Sequence, residues 1–92
     1  MAKFLMLGKY SLEAIKGIAT ERTKRVEEVI NKSGGKVNFI YALLGGYDLV
    51  LVVDFPDIQA AIKASVGLAK MSNIAFTTLP AISVEEFDKI VG

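Results

Sequence analysis

Two hydrophobic rhythms alternate along the chain, and the clearest lies in 36–55, KVNFIYALLGGYDLVLVVDF. Two nearly unbroken apolar runs flank Gly45-Gly46 there, the pattern of a β-hairpin. Glycine at both central positions suits a type I′ turn, in which both residues need positive φ. A two-residue turn sets Leu44 opposite Tyr47, Leu43 opposite Asp48 and Tyr41 opposite Val50. One face of the hairpin then carries Asn38, Ile40, Ala42, Leu44, Tyr47, Leu49, Leu51 and Val53. The other carries Val37, Phe39, Tyr41, Leu43, Asp48, Val50, Val52 and Asp54. Both faces are mostly apolar, so both are expected to be covered.

The flanking segments follow the same logic. A strand is predicted over 3–9, ended by Tyr10 and by Ser11, a favourable helix cap. Helical spacing of Leu12, Ile15, Ala19, Val26, Val29 and Ile30 predicts a first helix over 12–32. Gly17 and the polar stretch 20–24 weaken it, and Arg22 stands on the apolar stripe, so a break or kink is expected at 20–24. Ser33-Gly34-Gly35 ends this helix. Pro56-Asp57 marks the start of a second helix over 56–71, with Ile58, Ala61, Ile62, Ser65, Leu68 and Ala69 as its buried stripe. A strand over 74–79 ends at Pro80. Ser83 and Glu86 then form a capping box, with Ile82 and Phe87 placed as a staple for a short final helix.

The order is β-α-β-β-α-β plus a helix, which right-handed crossovers turn into one α+β, ferredoxin-like domain over 1–92 with an antiparallel sheet. Two long helices cover only one side of such a sheet. The second apolar face of the hairpin would leave a patch larger than a soluble monomer tolerates. A symmetry mate is the simplest cover, giving a dimeric α/β barrel.

Composition narrows the chemistry. Apolar residues make up 52% of the 92 residues and mean hydropathy is +0.43, a surplus that a partner subunit would hide. No apolar run approaches the ~20 residues that span a bilayer. The first residues carry too short an apolar run for a signal peptide, and a cytoplasmic location is expected. Cysteine and histidine are both absent, which removes thiol chemistry, the commonest general base and the commonest zinc ligand. No metal or other cofactor is expected. Net charge is +1, and Lys24, Arg25, Lys32 and Lys36 are interleaved with Glu27 and Glu28. That is a solvated face, and no nucleic-acid partner is expected.

Gly46-Tyr47-Asp48, Gly34-Gly35 before the second strand, Phe55-Pro56-Asp57 and Thr77-Thr78-Leu79 occur in an order that resembles the GYD-domain family across nearly the whole chain. Ala14 stands where that pattern usually has glycine. The resemblance implies a dimeric α/β barrel and names no reaction. The hairpin is also similar to the effector-binding domain of the leucine-responsive (feast/famine) regulators, which implies an oligomer that binds small ligands. The DNA-binding helix-turn-helix of those regulators is absent.

Asp48 is the residue whose environment matters most, because a carboxylate near an apolar barrel interior needs a partner. It either bonds turn amides or an inter-subunit lysine, or forms a ligand site at the barrel mouth with Tyr10 and Tyr41. Tyr47 is a packing residue or a fourth ligand contact, and Gly45 and Gly46 form the turn. Asp54 and Asp57 read as a strand-end and a helix-cap group. The expected function is a stand-alone regulatory module that binds a small molecule and forms a homodimer or larger homo-oligomer. A cofactor-free enzyme of monooxygenase or isomerase type, or a purely structural assembly protein, are the alternatives.

Overall fold

The computed structural model describes residues 1–92. Its elements are β1 (Ala2–Tyr10), α1 (Leu12–Lys16), α2 (Thr20–Lys32), β2 (Lys36–Ala42), β3 (Leu49–Phe55), α3 (Ile58–Ser72), β4 (Ile74–Ala81) and α4 (Val84–Val91). The four strands form one sheet in the order β2-β3-β1-β4, and every neighbouring pair is antiparallel. This is the ferredoxin-like α+β arrangement, with a short helix added at its end.

The core lies between one face of the sheet and the two longer helices. Phe4, Met6, Leu51, Val53 and Phe55 point into it from the strands. Val26 and Ile30 of α2, with Ala61, Ala64 and Leu68 of α3, close it from above. Phe4 meets Phe55 edge-on at 5.7 Å between ring centres, a favourable aromatic geometry. At Gly35, where the chain enters β2, a side chain would lie 2.8 Å from the Phe55 ring and 2.9 Å from Ile30. The glycine lets the strand approach the core that closely.

Five local expectations change. The first helix breaks at 17–19, not at 20–24. Ser11 caps α1 by accepting from the Ala14 N–H at 3.0 Å, and the Gly17 N–H closes it on Glu13 and Ala14. Thr20–Lys32 then starts a new helix whose polar first turn hides Arg22 on its inner side. With α1 set apart, only Ala14 of that turn is buried, and Leu12 and Ile15 lie in solvent.

Next, the strand pair slips by one residue. Asn38 is an extra residue between Val37↔Val53 and Phe39↔Val52, a β-bulge. Its carboxamide donates to the Asp54 carboxylate at 3.1 Å. The bulge moves Val37 to the helix side, where it packs against the core.

The hairpin connection is also longer than two residues. Tyr41↔Val50 and Ala42↔Leu49 pair as expected, and the Leu43 N–H reaches the Asp48 carbonyl at 2.8 Å. The strands end there, however, and 43–48 loops out. Gly45 has φ +134° but Gly46 has no positive φ, so the turn is not type I′.

Finally, α3 is rolled relative to its expected stripe. Its alanines face the sheet, which brings the helix close, while Ile58 and Ile62 are more than half exposed. Asp57 caps α3 by accepting from the Ala60 N–H at 2.8 Å. In α4 the Ser83 hydroxyl accepts from the Glu86 N–H at 3.1 Å. The reciprocal bond of a capping box does not form, and Ile82 and Phe87 remain about half exposed.

Candidate functional site

The face of the sheet away from the helices carries Leu5 and Leu7 of β1, Val50 and Val52 of β3, Phe39 and Tyr41 of β2 and Leu79 of β4, as the register dictates. No element of the chain lies over it. Phe39 and Tyr41 are 54% and 59% exposed and stack on each other, 6.1 Å apart and 14° from parallel. At one end of this face Lys3 pairs with Asp54 at 3.1 Å. Hydrogen bonds from Asn38 and Lys3 hold the Asp54 carboxyl below its ordinary pKa.

The other end is built around Asp48. Its main-chain N–H donates to the Gly8 carbonyl at 2.8 Å, and its Oδ2 accepts from the Tyr10 N–H, also at 2.8 Å. One residue thus grips β1 twice, by backbone and by side chain. The carboxylate replaces a strand acceptor beyond the point where regular pairing stops at Gly8↔Leu49. A charged acceptor strengthens such a bond. Lys9 adds a third tie, its Nζ donating to the Gly46 carbonyl at 3.0 Å. These ties hold 46–48 to β1 along one edge, while the Asp48 carbonyl is bonded to Leu43 along the other. Oδ1 of Asp48 has no partner within the chain, and the structure contains no buried polar side-chain atom left unbonded, so that oxygen faces solvent.

The expected cluster of Tyr10, Tyr41 and Asp48 is not formed within the chain. Tyr10 meets Asp48 only through its main-chain N–H. Its ring lies on the helix side, 5.2 Å from the Arg22 guanidinium, whereas the Tyr41 ring is on the open side against Phe39. Tyr47, 38% exposed, stands at the turn. Gly45 and Gly46 form the turn tip, with open space around both. Tyr41, Asp48 and Lys9 therefore lie at one end of the open face, with Tyr47 in the turn next to them, and the Tyr10 ring is separated from them by the sheet.

Arg22 takes a place that sequence reasoning left without a role. It is 9% exposed and donates from Nη1 to the Ala14 carbonyl, tying the end of α1 to α2. A side chain at Gly17 would come within 3.2 Å of that nitrogen. The signal was present as an arginine on an apolar stripe five residues after a glycine: the glycine leaves room and the arginine fills it. Beside Arg22, Tyr10, Thr23, Val26, Ile40, Leu49 and Ile74 line a cleft of only about 30 Å³, too small for a metabolite. No group of three or more carboxylates converges as a metal site would require. No helix is long and apolar enough to cross a membrane.

The tripeptide that grips β1, Gly46-Tyr47-Asp48, belongs to a wider match: the GYD domain family model covers residues 4–91. The chain belongs to the GYD-domain family. In this GYD domain the eponymous residues have separate tasks. Gly46 offers its carbonyl to Lys9, Tyr47 stands half-open at the turn, and Asp48 splices β3 to β1. No curated protein matches the chain.

Proposed function

We propose that this GYD domain is a self-associating module that binds a small molecule, regulatory in type, with its ligand site at the end of the open sheet face. The observation that carries the reading is the uncovered face itself, with the stacked Phe39–Tyr41 pair at its centre. Large apolar patches on a soluble chain mark interaction sites, and a second copy is the occupant that fits this one. The face is apolar in the middle and carries charges only at its ends, Lys3 with Asp54 at one and Lys9 with Asp48 at the other. A two-fold axis through its centre would set apolar rows on apolar rows and keep the charged ends wet. The mouth of the resulting barrel would hold Tyr41, Tyr47 and the solvent-facing oxygen of Asp48, a combination of aromatic walls and one carboxylate that suits a small ligand with a hydrogen-bond donor or a cationic group. Tyr10 contributes to this site through its backbone hold on Asp48.

Sedimentation and a thermal-shift screen of metabolites test the two halves. A mass of two or more copies at micromolar concentration is expected; a folded monomer overturns the association. A ligand that stabilises the wild type is expected to lose its shift with Asp48→Asn and Tyr41→Ala. Equal stabilisation of all three proteins overturns the placement of the site.

A further inference from the structure

A second apolar surface lies on the opposite side of the molecule. The roll of α3 that buries its alanines leaves Ile58, Ile62 and Val66 at 57%, 57% and 50% exposure, one helical turn apart in a single row. Beside them a groove of about 200 Å³ opens between α3 and β4, floored by Phe4, Phe76 and Pro80. The same chain carries an apolar row with nothing to cover. Helix α4 buries none of its residues, and Val84, Phe87 and Ile90, at helical spacing, are 73%, 53% and 73% exposed.

We infer that α4 of one copy docks into the α3–β4 groove of another copy. Two observations beyond exposure support this pairing. The rows are comparable in length, since Ile58 to Val66 extends about 12 Å and Val84 to Ile90 about 9 Å at 1.5 Å per residue. The charges are complementary as well. All the charges of α3 are positive, Lys63 and Lys70, while α4 presents Glu85, Glu86 and Asp88 against the single Lys89. Phe87 is the largest apolar side chain of α4 and the natural occupant of the groove, in the mode of an amphipathic helix laid in a hydrophobic channel. The α4 of the same copy begins four residues after Pro80 yet lines no part of the groove, which leaves the groove free for the helix of another copy. The groove lies away from the open sheet face, and only the start of α4, where Ser83 and Glu86 line a cavity with Lys3 and Asp54, comes near its rim.

The absence of cysteine makes a direct test possible. Ile62→Cys and Phe87→Cys, prepared separately with a tag on one of them, are mixed and mildly oxidised. The mixed disulfide is expected at least tenfold faster than with a control pair of Lys24→Cys and Phe87→Cys. It is expected to persist when Val50→Asp is added to both chains, which separates it from pairing through the sheet. A mixed species no faster than the control overturns the inference. So does closure of an internal disulfide in the double variant without any mixed species, which would assign the groove to the chain's own α4.

Discussion

Along β3, Leu51, Val53 and Phe55 are fully buried, while Val50 and Val52, which alternate with the first two, are only partly covered. The two sets differ little in chemistry and occupy adjacent positions on one strand. Their fates differ because the helices choose a side. On the covered side the fit is close: the alanines of α3 let the helix approach, and Gly35 admits the strand to within contact of Phe55. On the open side no layer meets the residues, and the rings of Phe39 and Tyr41 stack on each other. Hydrophobicity alone does not mark a core; what marks one is a second layer shaped to meet it.

The sharpest way to break this contrast is to place the same charge on both sides. Leu51→Asp buries an unpaired carboxylate, which costs several kcal/mol against the ~5–15 that hold a domain together, and circular dichroism is expected to show no folded protein. Val50→Asp, one residue away, is expected to stay folded yet to lose pairing through the sheet, sedimenting as a smaller species than the wild type. If both variants unfold, the open face is as necessary to the fold as the covered one, and the distinction drawn here fails.

Next in size is the splice between β3 and β1. Asp48→Ala removes a charged acceptor from the partly buried Tyr10 N–H and is expected to destabilise by about 1.5–3 kcal/mol, whereas Asp48→Asn retains an acceptor and is expected to lose less than about 1 kcal/mol. Chemical denaturation of both variants measures the difference. Equal losses would show that charge, and not an acceptor at that place, holds the strands.

A smaller effect is expected at the tip. Gly45→Val places a β-branched residue at a φ that L side chains avoid, with no steric neighbour, so about 1–2 kcal/mol of backbone strain is expected. An unchanged melting temperature would show the tip to be free to rearrange.

The smallest concerns the rim. The Asp54 pKa is lowered in the fold, so its contribution is present at neutral pH and declines as pH falls through the ordinary value of 3.8 and then through the folded one. The melting-temperature gap between wild type and Asp54→Asn is expected to narrow below that pH. A gap that is constant with pH would remove Asn38 and Lys3 as the cause.

The topology was legible from the sequence because each element announces itself locally: Ser11, Asp57 and Ser83 as caps, two periods of apolar spacing, glycines at the breaks. What was not legible depends on contacts between distant segments. The bulge at Asn38 rests on a bond to Asp54, sixteen residues away. The connection at 43–48 carries ties from β1 to Gly46 and Asp48, which nothing within the hairpin reports. The roll of α3 was hidden because alanines and isoleucines both count as apolar, while only the smaller ones let a helix lie flat on a sheet. The sequence groups Tyr10 and Tyr41 by sheet end and not by face. They share one end of the sheet, and strand alternation alone determines which side each ring takes.

The bulge at Asn38 has a further consequence at the rim of the sheet. β2 and β4 are its outermost strands, and an unpaired strand border is a template on which further chains add without limit. The displaced residue interrupts the regular spacing of groups along β2, with Lys36 at its start, and Pro80 removes a donor from β4. A chain this rich in apolar residues needs such guards. They guard the two edges against the addition of further strands while leaving the open face of the sheet unobstructed.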